Sequence, residues 1–330
     1  MKKFGISFAA ILVLAVAAAA LVLVRFDLSH EALVDKYANE ASGFVQLPDG
    51  AVAHYRDQGQ PDGSVLLLLH GATASLHTWE PWMRELGMRE LGARELGARE
   101  LGDRFRIVSV DLPGHGLTGR IPSDDYGRDS MVEFVRDFMT EIGIERFAVA
   151  GHSMGGGVAA QFAADYPLRV RGLILVSPDG LPPDEPGEPP LMVRLAATPV
   201  VRDAMRYLTP WALVDGALRP AMADQSLVTP DMTDRYYDLL LHEGNRVATI
   251  ERFAQLAAES SLEDRLGEIA APTLIIWGAQ DRLIPVATAD RFTALIPHSR
   301  LVIYEQAGHV AMEEVAVESA GEVRAFLDDL

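Results

Sequence analysis

The sequence predicts an α/β protein, a mostly parallel sheet with helices on both faces and a helical insertion late in the chain. Three observations carry that expectation. Short, wholly apolar runs such as Val-Leu-Leu-Leu-Leu at 65–69 suit strands buried on both faces. Stretches of helical periodicity alternate with those runs, as parallel strands joined by crossover helices require. At 147–164, Phe-Ala-Val-Ala leads through Gly-His-Ser-Met-Gly into an Ala-rich amphipathic segment, the pattern of strand, sharp turn and helix.

Composition narrows the class. The 330 residues carry a formal net charge of −18, and 49% are hydrophobic, enough for a sizeable core. The first 25 residues hold Lys2, Lys3 and Arg25 and no acid, so the remainder is more acidic still. That surface argues against nucleic acid and against anionic lipid as ligands of the folded part. Cysteine is absent, which excludes disulfides and thiolate metal sites. The nine histidines lack metal-binding spacing, so neither a metal nor a cofactor is expected.

Behind Lys2 and Lys3 the run from 4 to 24 is apolar but for Gly5 and Ser7, and about twenty residues at ~1.5 Å each cross one bilayer. A cleaved signal peptide is the rival reading, from Ala15-Val16-Ala17 and Ala18-Ala19-Ala20, but the run continues through Val24 beyond those sites. Residues 1–25 are therefore expected as a membrane anchor. The positive extreme end would stay in the cytoplasm and the catalytic part would be periplasmic, or secreted if the segment is cleaved. Residues 26–42 suit a linker with a short helix. Alternation at 43–47 and 52–56 around Pro48-Asp49-Gly50 predicts an antiparallel hairpin, where the domain begins.

Between two buried strands, Arg-Glu-Leu-Gly plus one residue recurs four times at 84–103. A period of five advances a helix by about 140° per unit, so Leu86, Leu91, Leu96 and Leu101 share no face. Each Glu lies four before an Arg, and each Gly opposes the helix by about 1 kcal/mol. A solvated surface helix lengthened by duplication results; a protruding arm is the alternative. Further strands are expected at 106–111, 147–152, 172–177, 273–278 and 300–305, with helices at 130–142, after 281 and at 313–330. Six of the thirteen residues at 178–190 are Pro, and the stretch to about 262 then reads as helices, an insertion typical of a lid. The organisation is thus core 43–177, cap 178–262 and core 263–330.

Ser153, Asp281 and His309 each fall just past the C-terminal end of a separate expected strand, the edge where open α/β sheets bind ligands. A serine needs a base to remove its proton, an imidazole with a reference pKa of about 6.5 suits that task near neutrality, and a carboxylate holds the other ring N–H. The backbone N–H groups of Ala72 and Met154 are the natural donors to a tetrahedral oxyanion. Asp281 as a mere helix cap would leave Asp179 as substitute acid. His70, Asp111, His115, His152 and Trp79 are read as structural.

These residues resemble the α/β-hydrolase fold family across 43–330. The matching motifs are His70-Gly71, Asp-Leu-Pro-Gly-His-Gly at 111–116, Gly-His-Ser-Met-Gly at 151–155, Trp-Gly-Ala-Gln-Asp at 277–281 and Gly308-His309, in the family's Ser, Asp, His order. Thr118 stands where Ser is frequent, and the repeat is foreign to the pattern. The resemblance implies an eight-stranded sheet with a cap after the sixth strand. It also implies a serine hydrolase cleaving small apolar or aromatic carboxylic esters through an acyl-enzyme on Ser153. C–C bond hydrolysis or acyl transfer on the same triad are the alternatives, and from another class, an anchored binding protein on a non-catalytic hydrolase fold.

Overall fold

Among the described residues eight strands form one sheet: Ser42–Gln46 (β1), Val52–Gly59 (β2), Ser64–Leu69 (β3), Phe105–Val110 (β4), Phe147–His152 (β5), Val170–Val176 (β6), Thr273–Gly278 (β7) and Ser299–Tyr304 (β8). Their order is β1-β2-β4-β3-β5-β6-β7-β8. β1, β2 and β4 pair antiparallel and every later pairing is parallel. The computed structural model describes residues 24–86, 104–182, 194, 198–256 and 259–330.

Alternation along the strands splits the core into two layers. Leu67 and Leu69 of β3 face one apolar cluster, packed with Met131, Phe138, Val158 and Phe292. Leu66 and Leu68 face the other, with Trp79, Trp82, Met312 and Val323. All four leucines are fully buried, as a strand covered on both faces must be. Helices Arg128–Glu141 and Met154–Asp165 cover the first face, and Glu80–Glu85 and Ala316–Asp328 cover the second. The single helix expected at 313–330 is two, Ala311–Glu314 and Ala316–Asp328, interrupted at Val315 with φ −128° and ψ 49°. The interruption lets the first piece follow the 308–310 loop while the second lies along the sheet.

Strand order reverses between β3 and β5, so the loops leaving their C-terminal ends diverge and open a crevice. Over it, between β6 and β7, lie the helices Pro199–Met205, Trp211–Leu218, Pro230–Leu240 and Asn245–Leu256. Val214, Tyr237 and Leu241 give these helices an apolar centre of their own.

The N-terminal stretch expected as a linker is held against this insertion. Val24 bridges Leu208, Leu28 pairs with His242, Asp27 meets Arg246 at 2.5 Å, and from the helix His30–Tyr37 Lys36 reaches Asp238 at 2.6 Å. Nearly all of the expected membrane-spanning run, and the repeat beyond Leu86, lie outside the described residues. Among the described residues no helix is long and apolar enough to cross a membrane.

Candidate active site

Ser153 stands between β5 and the helix Met154–Asp165 with φ 50° and ψ −119°, a conformation that L side chains rarely adopt. Two glycines make the turn sterically possible. A Cβ on Gly151 would come within 2.1 Å of the Gly155 carbonyl oxygen, and one on Gly155 within 2.4 Å of the Leu69 carbonyl oxygen. Both contacts are with backbone, which cannot move aside. The strain is held by main-chain bonds: the Ser153 N–H donates to Val176, and its carbonyl accepts from Gly156, Gly157 and Asp179. The turn leaves the side chain at a helix N-terminus, where the first N–H groups, Met154 among them, have no intrahelical acceptor. Among the described residues the Ser153 hydroxyl itself has no hydrogen-bond partner.

The loop after β3 closes on this turn. The Cβ position of Gly71 lies 3.2 Å from the Ser153 Cβ, bringing the Gly71–Ala72 segment beside it. His70 fixes that segment: its Nδ1–H donates to the Gly71 carbonyl and its Nε2 accepts from the Leu112 N–H. Asp111 ties β2 to the loops that follow β3 and β4, with His54 Nδ1 and the Leu117 N–H on Oδ2 and the Leu76 N–H on Oδ1. Burial alone would raise its pKa, but the hydrogen bond from His54, with the neighbouring His70 ring and the Leu76 N–H, holds it well below the usual range. His70 and Asp111 thus hold together the loops around the serine turn.

In the loops after β7 and β8, His309 Nδ1 donates to Asp281 Oδ2 at 2.7 Å, both residues being buried. Asp281 Oδ1 accepts from the Leu283 and Ile284 N–H groups at 2.8 and 2.9 Å. The following helix, Ala287–Leu295, is capped by Val286, so Asp281 is no helix cap. His152, next to Ser153, donates from Nε2 to the His309 carbonyl, and the two rings lie 4.7 Å apart. Burial, then the neighbouring His309 and His70, push its pKa far down and keep it neutral.

Asp179 does not bond His309. It faces Arg252 at 4.0 Å, in a cluster where Arg252 and Arg128 grip Glu259. Burial pushes the Asp179 carboxyl up, against the pull of Arg252 and Arg128.

Sequence reasoning missed Glu314. Its carboxylate takes the Gly308 N–H at 2.6 Å and the Ala223 N–H at 2.7 Å, while the His309 N–H donates to Ala221. The insertion is thereby fastened to the loop that carries His309. Nothing marks Glu314 among the acids of the closing helices before residue 223 is known to lie opposite.

A histidine buried in its neutral form is expected to cost stability in acid. His115 donates from Nδ1 to the Pro113 carbonyl, and burial, with His70 close by, lowers its pKa to about 3. Its folded pKa lies below the unfolded value near 6.5, so the unfolded chain binds the extra proton, and stability falls as pH drops from about 6.5 towards 3. The expected slope is about 1.4 kcal/mol per pH unit for this residue. Urea unfolding of His115→Asn across pH 7 to 4.5 should be flatter than wild type by that amount, and an unchanged slope would refute the assignment.

Comparison with known proteins adds to this geometry. A 2-hydroxy-6-oxo-6-phenylhexa-2,4-dienoate hydrolase of Comamonas testosteroni is 28% identical, over 80% of this chain and 87% of its own. A monoacylglycerol lipase of Xenopus laevis is 28% identical, over 84% and 79%. The crystal structure of a bacterial membrane phospholipase A superposes with a TM-score of 0.70 at 27% identity, covering 97% of both chains. The family profile described as alpha/beta hydrolase fold matches residues 64–316. With its strand order, its strained serine turn and this match over most of its length, the chain belongs to the α/β-hydrolase fold family and is a hydrolase.

Proposed function

We propose that the protein is a membrane-anchored carboxylic ester hydrolase working through an acyl-enzyme on Ser153. The observation that carries this reading is the buried Asp281–His309 bond, joined through His152 to a strained Ser153 turn that the Gly71–Ala72 segment also approaches. His309 Nε2, opposite the nitrogen that Asp281 holds, takes the proton from the Ser153 hydroxyl as its oxygen attacks the ester carbonyl. The Ala72 and Met154 N–H groups receive the resulting oxyanion. Collapse breaks the ester C–O bond, and His309 returns the proton to the leaving alcohol. A water, deprotonated in turn by His309, releases the acid and restores Ser153.

Anchoring by residues 1–25 is supported by the apolar run itself, and by the likeness over 97% of both chains to a protein described as a membrane phospholipase A. That likeness and the lipase relative favour an ester with an apolar acyl group.

C–C bond hydrolysis is the second reading, favoured by the relatives named as dienoate hydrolases. The substrate in that name carries a carboxylate. Of the two buried arginines on the Asp179 side of the Ser153 turn, Arg252 is neutralised by Glu259 in a two-point contact, whereas Arg128 places one amino group on the Ser260 carbonyl and leaves Nε and Nη1 without a hydrogen-bond partner among the described residues, donors that would suit such a carboxylate. A panel of p-nitrophenyl esters from acetyl to palmitoyl, run beside 2-hydroxy-6-oxo-6-phenylhexa-2,4-dienoate, separates the two. Esters are expected to turn over, with fluorophosphonate labelling Ser153. A higher kcat/KM for the dienoate than for every ester would establish C–C hydrolysis instead.

A further inference from the structure

Exposed apolar side chains are unevenly spread over the protein. Of the twelve large ones among the described residues, Phe26, Val200, Tyr207, Leu208 and Leu213 belong to one region. Single exposed hydrophobics are ordinary on any surface, whereas a contiguous group marks a contact. Main-chain pairing draws this group together: Val24 bridges Leu208, and the Arg25 N–H donates to the Tyr207 carbonyl at 2.9 Å. Phe26 is 79% exposed immediately beyond that bridge. Val200, 82% exposed, lies on Pro199–Met205, the helix leading into it, and Leu213 lies on Trp211–Leu218, the helix leading out.

The apolar run of residues 4–24 ends on this same bridge. About twenty residues of helix fill the hydrocarbon thickness, so Val24 would lie where the chain leaves it. The headgroup layer beyond is about 5–8 Å deep, and consecutive Cα atoms are about 3.8 Å apart. Leu208 and Tyr207, bonded to residues 24 and 25, therefore cannot stand clear of that layer. The composition fits an interface. Arg25, Arg202 and Arg206 alternate in sequence with the apolar residues, and Asp203 and Glu251 lie within 4.0 Å of Arg206. Such a mixture is close to neutral, unlike a polybasic patch, and arginine stems can lie along lipid with their heads in water.

We propose that this face of the cap, Phe26 with the helices Pro199–Met205 and Trp211–Leu218, sits in the interfacial layer of the bilayer, and that the substrate is a lipid ester drawn from that layer. The proposal rests on the membrane-anchor reading above. The same insertion is fastened to the His309 loop at Ala221 and Ala223, which joins the interfacial face and the loop that carries the base in one packed unit.

The chain has no cysteine, so a single introduced thiol is a unique reporter. Full-length Val200→Cys, Leu213→Cys and Leu168→Cys, each carrying an environment-sensitive nitrobenzoxadiazole label, would be reconstituted into phosphatidylcholine vesicles with and without doxyl-labelled lipid. Leu168, 85% exposed, precedes β6 at the opposite edge of the sheet and serves as the control. Labels at 200 and 213 are expected to shift blue and be quenched by doxyl lipid, and the label at 168 to do neither. Protein that floats with the vesicles while all three labels behave alike would overturn the proposal and leave the anchor standing. Protein that fails to float would overturn both. A blue shift that grows with protein concentration without doxyl quenching would assign the face to a second copy instead. For the substrate, the triple variant Val200→Ser, Tyr207→Ser, Leu213→Ser should lose about tenfold or more on a vesicle-borne ester, yet keep its rate on soluble p-nitrophenyl butyrate. Equal losses on both would refute the lipid-entry half.

Discussion

Ser153→Ala is expected to lower kcat on p-nitrophenyl esters by on the order of 10⁵-fold while leaving the fold in place. Removing a nucleophile eliminates the covalent route, and what survives is the contribution of oxyanion donors and binding to attack by water. The substitution should cost little stability. The strain at φ 50° belongs to the backbone and is equal for Ala, the main-chain bonds to Val176, Gly156, Gly157 and Asp179 persist, and the hydroxyl has no hydrogen bond to lose among the described residues. A change in unfolding free energy within about 1 kcal/mol is therefore expected. Kinetics and thermal unfolding on one preparation test both halves: activity above about 1% of wild type would remove Ser153 from the mechanism. Gly151→Ala makes a useful contrast. Its Cβ would collide with backbone at 2.1 Å, so it should lose activity through loss of folded protein rather than loss of a reacting group.

Legibility from sequence follows the range of the interactions. The sheet was readable because burial on both faces demands local composition: Leu66 to Leu69 cannot be anything but a covered strand once turn residues bound them. The serine turn was readable because Gly-x-Ser-x-Gly is a local pattern, and the Gly151 clash with the Gly155 carbonyl falls within five residues, although Gly155 itself answers to Leu69 on the neighbouring strand. Asp281 and His309 were readable as candidates because each lies in the loop that leaves the C-terminal end of its strand, although their bond spans 28 residues. What escaped depends on partners that only folding brings near. Glu314 holds Ala223 from 91 residues away, and Asp27 meets Arg246 across 219. Between Val24 and Tyr37 nothing local distinguishes a free linker from a strand of contacts along the cap. The break at Val315 is of the same kind, since its neighbours are good helix formers and the interruption answers to where the His309 loop must go.

Asp281→Asn should reduce kcat by about 10⁴-fold, and Asp179→Asn by no more than about tenfold. The difference comes from what each carboxylate holds. One oxygen of Asp281 already receives the Leu283 and Ile284 N–H groups. In the asparagine variant only the amide oxygen can serve them, which turns the NH₂ group towards His309 Nδ1. The ring must then accept at Nδ1 and carry its proton on Nε2, the nitrogen that has to receive the Ser153 proton. The base is present and closely placed but in the wrong tautomer, and it loses the negative charge that stabilises the imidazolium. Asp179 makes no bond to the imidazole. It faces Arg252, and its substitution alters only the charge balance of a cluster in which Glu259 still grips both arginines. Steady-state kinetics of the two variants on one ester decide the matter: a larger loss in Asp179→Asn than in Asp281→Asn would make Asp179 the orienting acid.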